Sequence, residues 1–196
     1  ASRPPHAVLD EVAGLVAAGV RHVTLLGQSI GGYARHDADG RPWCLADLIR
    51  EAARTPGLLR LDFVTMHPRT LTAGVLDLMA QGDPVAAYLH IPAQSGADRI
   101  LAAMNRGYTV AQYRQAVDEA RRRVPAVDVA SDFIVGFPGE TEDDFARTLD
   151  LIRDIRFSQV FAFKYSVRPG TAAAKLPDDV PTEVKEDRLA RLLAAQ

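Results

Sequence analysis

Five short apolar runs alternate with helical segments along this chain. The runs lie at 20–26, 59–64, 86–91, 127–135 and 159–165. Their starts recur at intervals of roughly 27 to 41 residues, too long for hairpins and right for helical crossovers. Apolar residues at helical spacing predict helices at 5–18, 43–53, 72–81, 97–104, 110–123, 142–155 and 182–195, with residues 27–42 a long polar loop. The alternation predicts an α/β fold with a parallel sheet and right-handed crossovers. Five β/α units are too few to close an eight-stranded barrel. The expectation is an open sheet or part of a barrel; a strand before the first helix is either absent from the fold or absent from this stretch.

The most informative junction is Ser131 to Thr141, SDFIVGFPGET. A β-branched apolar run stops at Gly136-Phe137-Pro138-Gly139, which breaks regular structure and lets backbone approach a ligand closely. Thr141 with Asp144 three residues on has capping-box spacing, so a helix starts here. Acids crowd its first turn: Glu142, Asp143 and Asp144, with Glu140 just before. A diphosphate would be repelled, which favours a neutral or cationic ligand; a tight turn without any ligand remains the alternative.

In parallel α/β folds the loops after the strands carry the site. Here they hold Gln28 and Ser29; Thr65 and His67; Gln94, Ser95 and Asp98; Asp132 and Glu140; and Ser166 and Arg168. Gln94 and Ser95 equally suit the start of the following helix. His67 and His90 read as structural histidines. Asp132, within an apolar strand, requires a partner or a function. Arg99, Asn105, Arg106 and Tyr108 form a small basic-aromatic cluster suited either to single-stranded nucleic acid or to a surface turn. Arg121-Arg122-Arg123 reads as a solvated helix end.

Composition narrows the class. The net charge of −2 gives no global basic footprint for nucleic acid. No apolar run reaches the ~18 residues of a membrane span. The single cysteine, Cys44, allows no internal disulfide, fits a reducing cytoplasm and reads as packing. One thiol cannot hold an iron–sulfur cluster, and the histidines lack metal-ligand spacing, so no metal ligand is expected.

Five motifs together resemble one family. GQSIGGY at 27–33, HP at 67–68, LHIPAQSGADRILAAMNRGYT at 89–109, SDFIVGFPGETEDDF at 131–145 and YSVRPGTAAA at 165–174 are similar to the radical S-adenosylmethionine (SAM) methylthiotransferases. The nearest match is the MiaB type, which thiomethylates C2 of an isopentenylated adenosine at position 37 of transfer RNA. The resemblance implies a partial parallel (β/α) TIM-type barrel, with about five of six units at 1–176. A linker and helix at 177–196 would lead to an RNA-binding domain. It also implies S-adenosylmethionine and two [4Fe–4S] clusters, their ligands outside this stretch, so that the stretch alone is inactive. Gln94 and Ser95 would lie beside the ribose and methionine parts of S-adenosylmethionine. Ile134 and Gly136 would pack on its adenine, with Gln28 also cofactor-binding. Asp132 and Arg168 would face the cofactor or the substrate base. The implied partner is a tRNA anticodon loop, met by a cytoplasmic monomer. In the first loop Ser29-Ile30-Gly31-Gly32 stands where the family often has Asn after Gln. Alternatives are the sister enzymes acting on a ribosomal-protein aspartate or on threonylcarbamoyladenosine in tRNA, and an inactive fragment that binds S-adenosylmethionine or RNA.

Overall fold

The computed structural model describes residues 2–196. The chain divides into two compact units, Ala1–His90 with Asp118–Asp128 and Ile91–Val117 with Val129–Gln196.

In the first unit α1 (Pro5–Ala17) opens on a proline, where no helical donor is lost. β1 (His22–Leu25) runs parallel to a later strand, β4, across a crossover that contains a hairpin, β2 (Ala34–His36) and β3 (Pro42–Cys44), and α2 (Leu45–Ala52). β4 (Arg60–Phe63) pairs with β1 from His22–Arg60 to Leu25–Phe63. Val23, Leu25, Leu61 and Phe63 are buried. His22, Arg60 and Asp62 cluster beside them. Burial raises the Asp62 pKa, but hydrogen bonds from Arg60 and His22 outweigh it and hold the carboxyl below its ordinary value. After α3 (Ala73–Gln81) the chain returns beside β4, with Leu61 N donating to Pro84 O at 2.7 Å and Ala86 N to Leu61 O at 3.0 Å, and enters β5 (Tyr88–His90).

The hairpin corrects the expected polar loop. Asp37 Oδ1 accepts from the amides of Asp39 and Arg41, and Asp37 Oδ2 from the Trp43 indole at 2.9 Å. Trp43 is thereby held in a strand opposite Arg35, and the helix begins two residues later than its apolar spacing suggests.

The second unit holds α4 (Asp98–Ala103), most of α5 (Val110–Arg123) and of β6 (Asp128–Val135), α6 (Glu142–Ile155), β7 (Gln159–Lys164) and α7 (Thr182–Ala194). β6 and β7 are parallel, from Ala130–Gln159 to Val135–Lys164. Successive side chains alternate between the faces of a strand. Ser131, Phe133 and Val135 are fully buried on one face of β6. The Phe133 ring packs edge-on to Phe157, with centroids 5.6 Å apart. Ser131 survives in this core because its hydroxyl is satisfied: it donates to Ile91 O and accepts from Ala93 N at 2.9 Å. The opposite face of β6 carries half-buried Asp132 and Ile134, in register with Phe161 and Phe163 of β7, which are 38% and 54% exposed. Among the described residues no helix is long and apolar enough to cross a membrane.

Candidate functional site

Gln94 leaves the strand-like segment after β5 with φ +69°, a conformation that costs a non-glycine residue about 1 kcal/mol or more. Two hydrogen bonds lock it there. Gln94 N donates to Asp132 O at 2.8 Å, and Ile134 N donates to Gln94 O at 3.0 Å. The residue is 6% exposed, and its Oε1 has no hydrogen-bond partner. A buried acceptor left unpaired costs about 1–3 kcal/mol. Strain and an idle acceptor in one residue, beside the Asp132–Ile134 face, mark a place suited to a ligand that donates a hydrogen bond.

Ser95 does not share that position. Its Oγ accepts from Ala97 N at 3.2 Å and lies 3.5 Å from Thr148 Oγ1, within the buried turn that precedes α4. It does not cap the helix, which starts at Asp98 after Ala97 and has no side-chain cap; Ser95 instead closes the turn two residues before. Gly136 directly follows β6 with φ +70°. Its missing Cβ does not open onto the sheet face: a Cβ there would lie 2.3 Å from Lys185 Cγ of α7. The need for glycine is therefore met within the chain itself. Arg168 lies in the turn after β7, exposed, with its carbonyl accepting from Thr171 Oγ1 at 2.8 Å. Gln28 follows β1 in the first unit.

Three of the four acids after β6 are paired with a cation. Glu140 is 5% exposed; its Oε2 accepts from Gly136 N at 2.7 Å and from Arg188 at 3.0 Å. Burial pushes the Glu140 pKa up, opposed by those two partners. Glu142 meets Arg191, and Asp144 meets Arg99. The loop's net charge is thereby much reduced, so the charge argument against a phosphate is weaker than the acids alone suggest. The basic-aromatic cluster resolves similarly. Tyr108 is buried, with its hydroxyl donating to Pro92 O at 3.0 Å, and burial raises its pKa to about 12. Arg99 also donates to Gly139 O at 2.6 Å. Tyr108 is thus part of the core, and Arg99, half exposed, ties α4 to Asp144 and Gly139.

Thr141 and Asp144 form the expected capping box. Burial raises the Asp144 pKa, but hydrogen bonds from Thr141 and Arg99 outweigh it and hold the carboxyl below its ordinary value. A depressed carboxyl contributes stability above its unfolded pKa of about 4, and loses it as pH falls through the lower folded value. Urea unfolding between pH 7 and pH 3 is expected to show this loss. Asp144→Asn should be less stable at pH 7 and flatter towards acid; an unchanged slope would contradict the assignment.

Sequence reasoning missed Lys185 and Arg188, which are 6% and 4% exposed. With Leu192 they form the buried face of α7 at i, i+3 and i+7. Cations at that spacing, opposite an acid-rich loop, were the available signal.

The sequence pattern of the Radical SAM superfamily matches residues 1–152. The chain belongs to the radical SAM superfamily. It is 48% identical over 191 residues to a tRNA-2-methylthio-N(6)-dimethylallyladenosine synthase of Pseudomonas savastanoi pv. phaseolicola, covering 97% of this chain and 43% of that protein. It is 45% identical over 195 residues to the protein of the same name from Carboxydothermus hydrogenoformans, covering 100% and 44%. The radical SAM chain thus spans under half the length of these relatives. Among solved structures it resembles the radical SAM enzyme coproporphyrinogen III oxidase of Escherichia coli, with TM-score 0.67 at 20% identity over 97% of this chain and 46% of that one. TsrM of Kitasatospora setae gives TM-score 0.63 at 18% identity over 82% and 31%. These likenesses speak for the fold: the α/β class with parallel β/α units, of the partial TIM-type barrel kind, is the one found.

Proposed function

We propose that this chain is the central part of a tRNA methylthiotransferase. The whole enzyme would add a methylthio group to C2 of N6-isopentenyladenosine at position 37, in the anticodon loop. The observation that carries the reading is the 45–48% identity to synthases of that name along nearly the whole chain. S-adenosylmethionine fits the residues present. Its ribose hydroxyls or its ammonium would donate to Gln94 Oε1, the buried acceptor without a partner. The polar–apolar face of Asp132, Ile134, Phe161 and Phe163 suits a nucleoside, apolar on its rings and polar at its edges. Ser95 and Gly136 would hold the loops, and Arg168, exposed in the turn after β7, would meet RNA phosphate or a base edge.

A [4Fe–4S] cluster does not fit this chain, whose one cysteine, Cys44, donates its thiol to Asp47 at 3.1 Å. Other segments of the whole enzyme would carry the clusters. Bound together, cluster and S-adenosylmethionine supply the radical chemistry. This chain's residues would orient the nucleoside, and the target adenine would turn out of its loop to reach it.

The test is mass spectrometry of tRNA after incubation with the reconstituted full-length enzyme. Methylthio product is expected from isopentenylated tRNA and not from unmodified tRNA. Product only from ribosomal protein, or only from threonylcarbamoylated tRNA, would overturn the substrate.

A further inference from the structure

The loop after β6 is held from outside by the segment leading into α7. Gly139 N donates to Asp179 Oδ1 at 2.7 Å. Lys185 fills the space a Gly136 side chain would need, with Nζ 2.5 Å from Asp178 Oδ1 and 5.4 Å from the Tyr165 ring centroid. Arg188 Nη1 donates both to Glu140 O, at 3.1 Å, and to Glu140 Oε2, at 3.0 Å. That same Oε2 accepts the Gly136 amide. A continuous chain therefore runs from an α7 guanidinium, through one carboxylate, to the backbone that ends the ligand-facing strand. Phe137, between the anchored glycines, packs on Tyr165 with centroids 5.1 Å apart.

A buried ion pair contributes little net stability, because desolvating both charges offsets their attraction. Its geometric effect is larger. Glu140 is placed by its own amide, which donates to Phe137 O at 2.9 Å, and Arg188 fixes its carboxylate where Oε2 meets Gly136 N, at the left-handed residue that follows the strand carrying Asp132 and Ile134.

We propose that Arg188 is a positioning residue: through Glu140 it sets the Gly136 turn, so that docking of α7 and binding of the nucleoside cofactor are linked. This rests on the functional reading above for the identity of the cofactor. Linkage is reciprocal, so cofactor binding also tightens α7.

The test uses the cluster-loaded full-length enzyme and three variants. Arg188→Met is expected to weaken S-adenosylmethionine binding in calorimetry about tenfold, with hydrogen exchange at the Gly136 amide faster by a similar factor. Arg191→Met is the control; it shares with Arg188 the helix, the Phe145 ring and Glu142, which Arg188 Nε meets at 3.5 Å, but it does not reach Glu140. It should leave both readouts unchanged. Arg188→Lys keeps the charge and should recover part of both, and it carries the test if Arg188→Met does not fold. Normal affinity together with normal Gly136 exchange in the Arg188 variants would overturn the proposal, as would an equal loss in Arg191→Met. If the wild-type enzyme binds no S-adenosylmethionine, the functional reading fails. Gly136 exchange then decides the role of Arg188 by itself, and unchanged exchange overturns it.

Discussion

Replacing Gly96 with alanine is expected to destabilise the chain by about 3 kcal/mol, because the added methyl would meet backbone that cannot retreat. A Cβ at Gly96 would lie 2.4 Å from Arg147 O and 2.5 Å from Thr148 Cα of α6. The Gly96 amide also donates to Thr148 Oγ1 at 2.9 Å, so the two segments are pinned at that separation. Relief would require α6 to move away from α4, opening the core around Phe145 and Ile100, both fully buried. Equilibrium urea unfolding measures the change. Gly32→Ala is the control: nothing lies within 4 Å of its would-be Cβ, and a shift within about 0.5 kcal/mol is expected. A Gly96→Ala loss below about 1 kcal/mol would mean that α6 is not held as described.

Gly136→Ala is expected to cost roughly 2–3 kcal/mol, from a left-handed backbone and a displaced Lys185 acting together. Lys185 is enclosed, so it can yield only by dragging α7 outwards. Limited proteolysis should cut α7 in the variant at protease levels that leave the parent chain intact. The two contributions separate in a double-mutant cycle. In a Lys185→Ala background the contacts with Cγ and Cδ go and only Cβ, 3.2 Å away, remains beside the backbone part, so Gly136→Ala should cost clearly less there, about 1 kcal/mol. Equal costs in the two backgrounds would exclude the Lys185 contact as the reason for glycine. This differs from what the motif alone suggests, namely a glycine kept bare for adenine.

Much of the architecture was legible because it rests on local rules. The runs at 127–135 and 159–165, and the capping box at Thr141–Asp144, follow directly from alternation and side-chain chemistry. The hairpin at 34–44 escaped because its strands are three residues each and lack an apolar stripe. The Asp39-Gly40 pair before Arg41 was its one signal. Within the site, Gln94 and Asp132 could be picked out as polar groups at strand ends. The idle Oε1 of Gln94 could not, because satisfaction of a buried atom depends on partners distant in sequence. For the same reason Glu140 read as a ligand-repelling charge. Its partner Arg188 stands 48 residues further on, and no local pattern joins the two.

The carboxylate of Asp37 closes its excursion from within, using two amides and an indole that all come from residues 39–43. Such a knot needs no scaffold to recognise its own ends. Residues 34–44 close on their own contacts, and the pairing of β1 with β4 uses none of them.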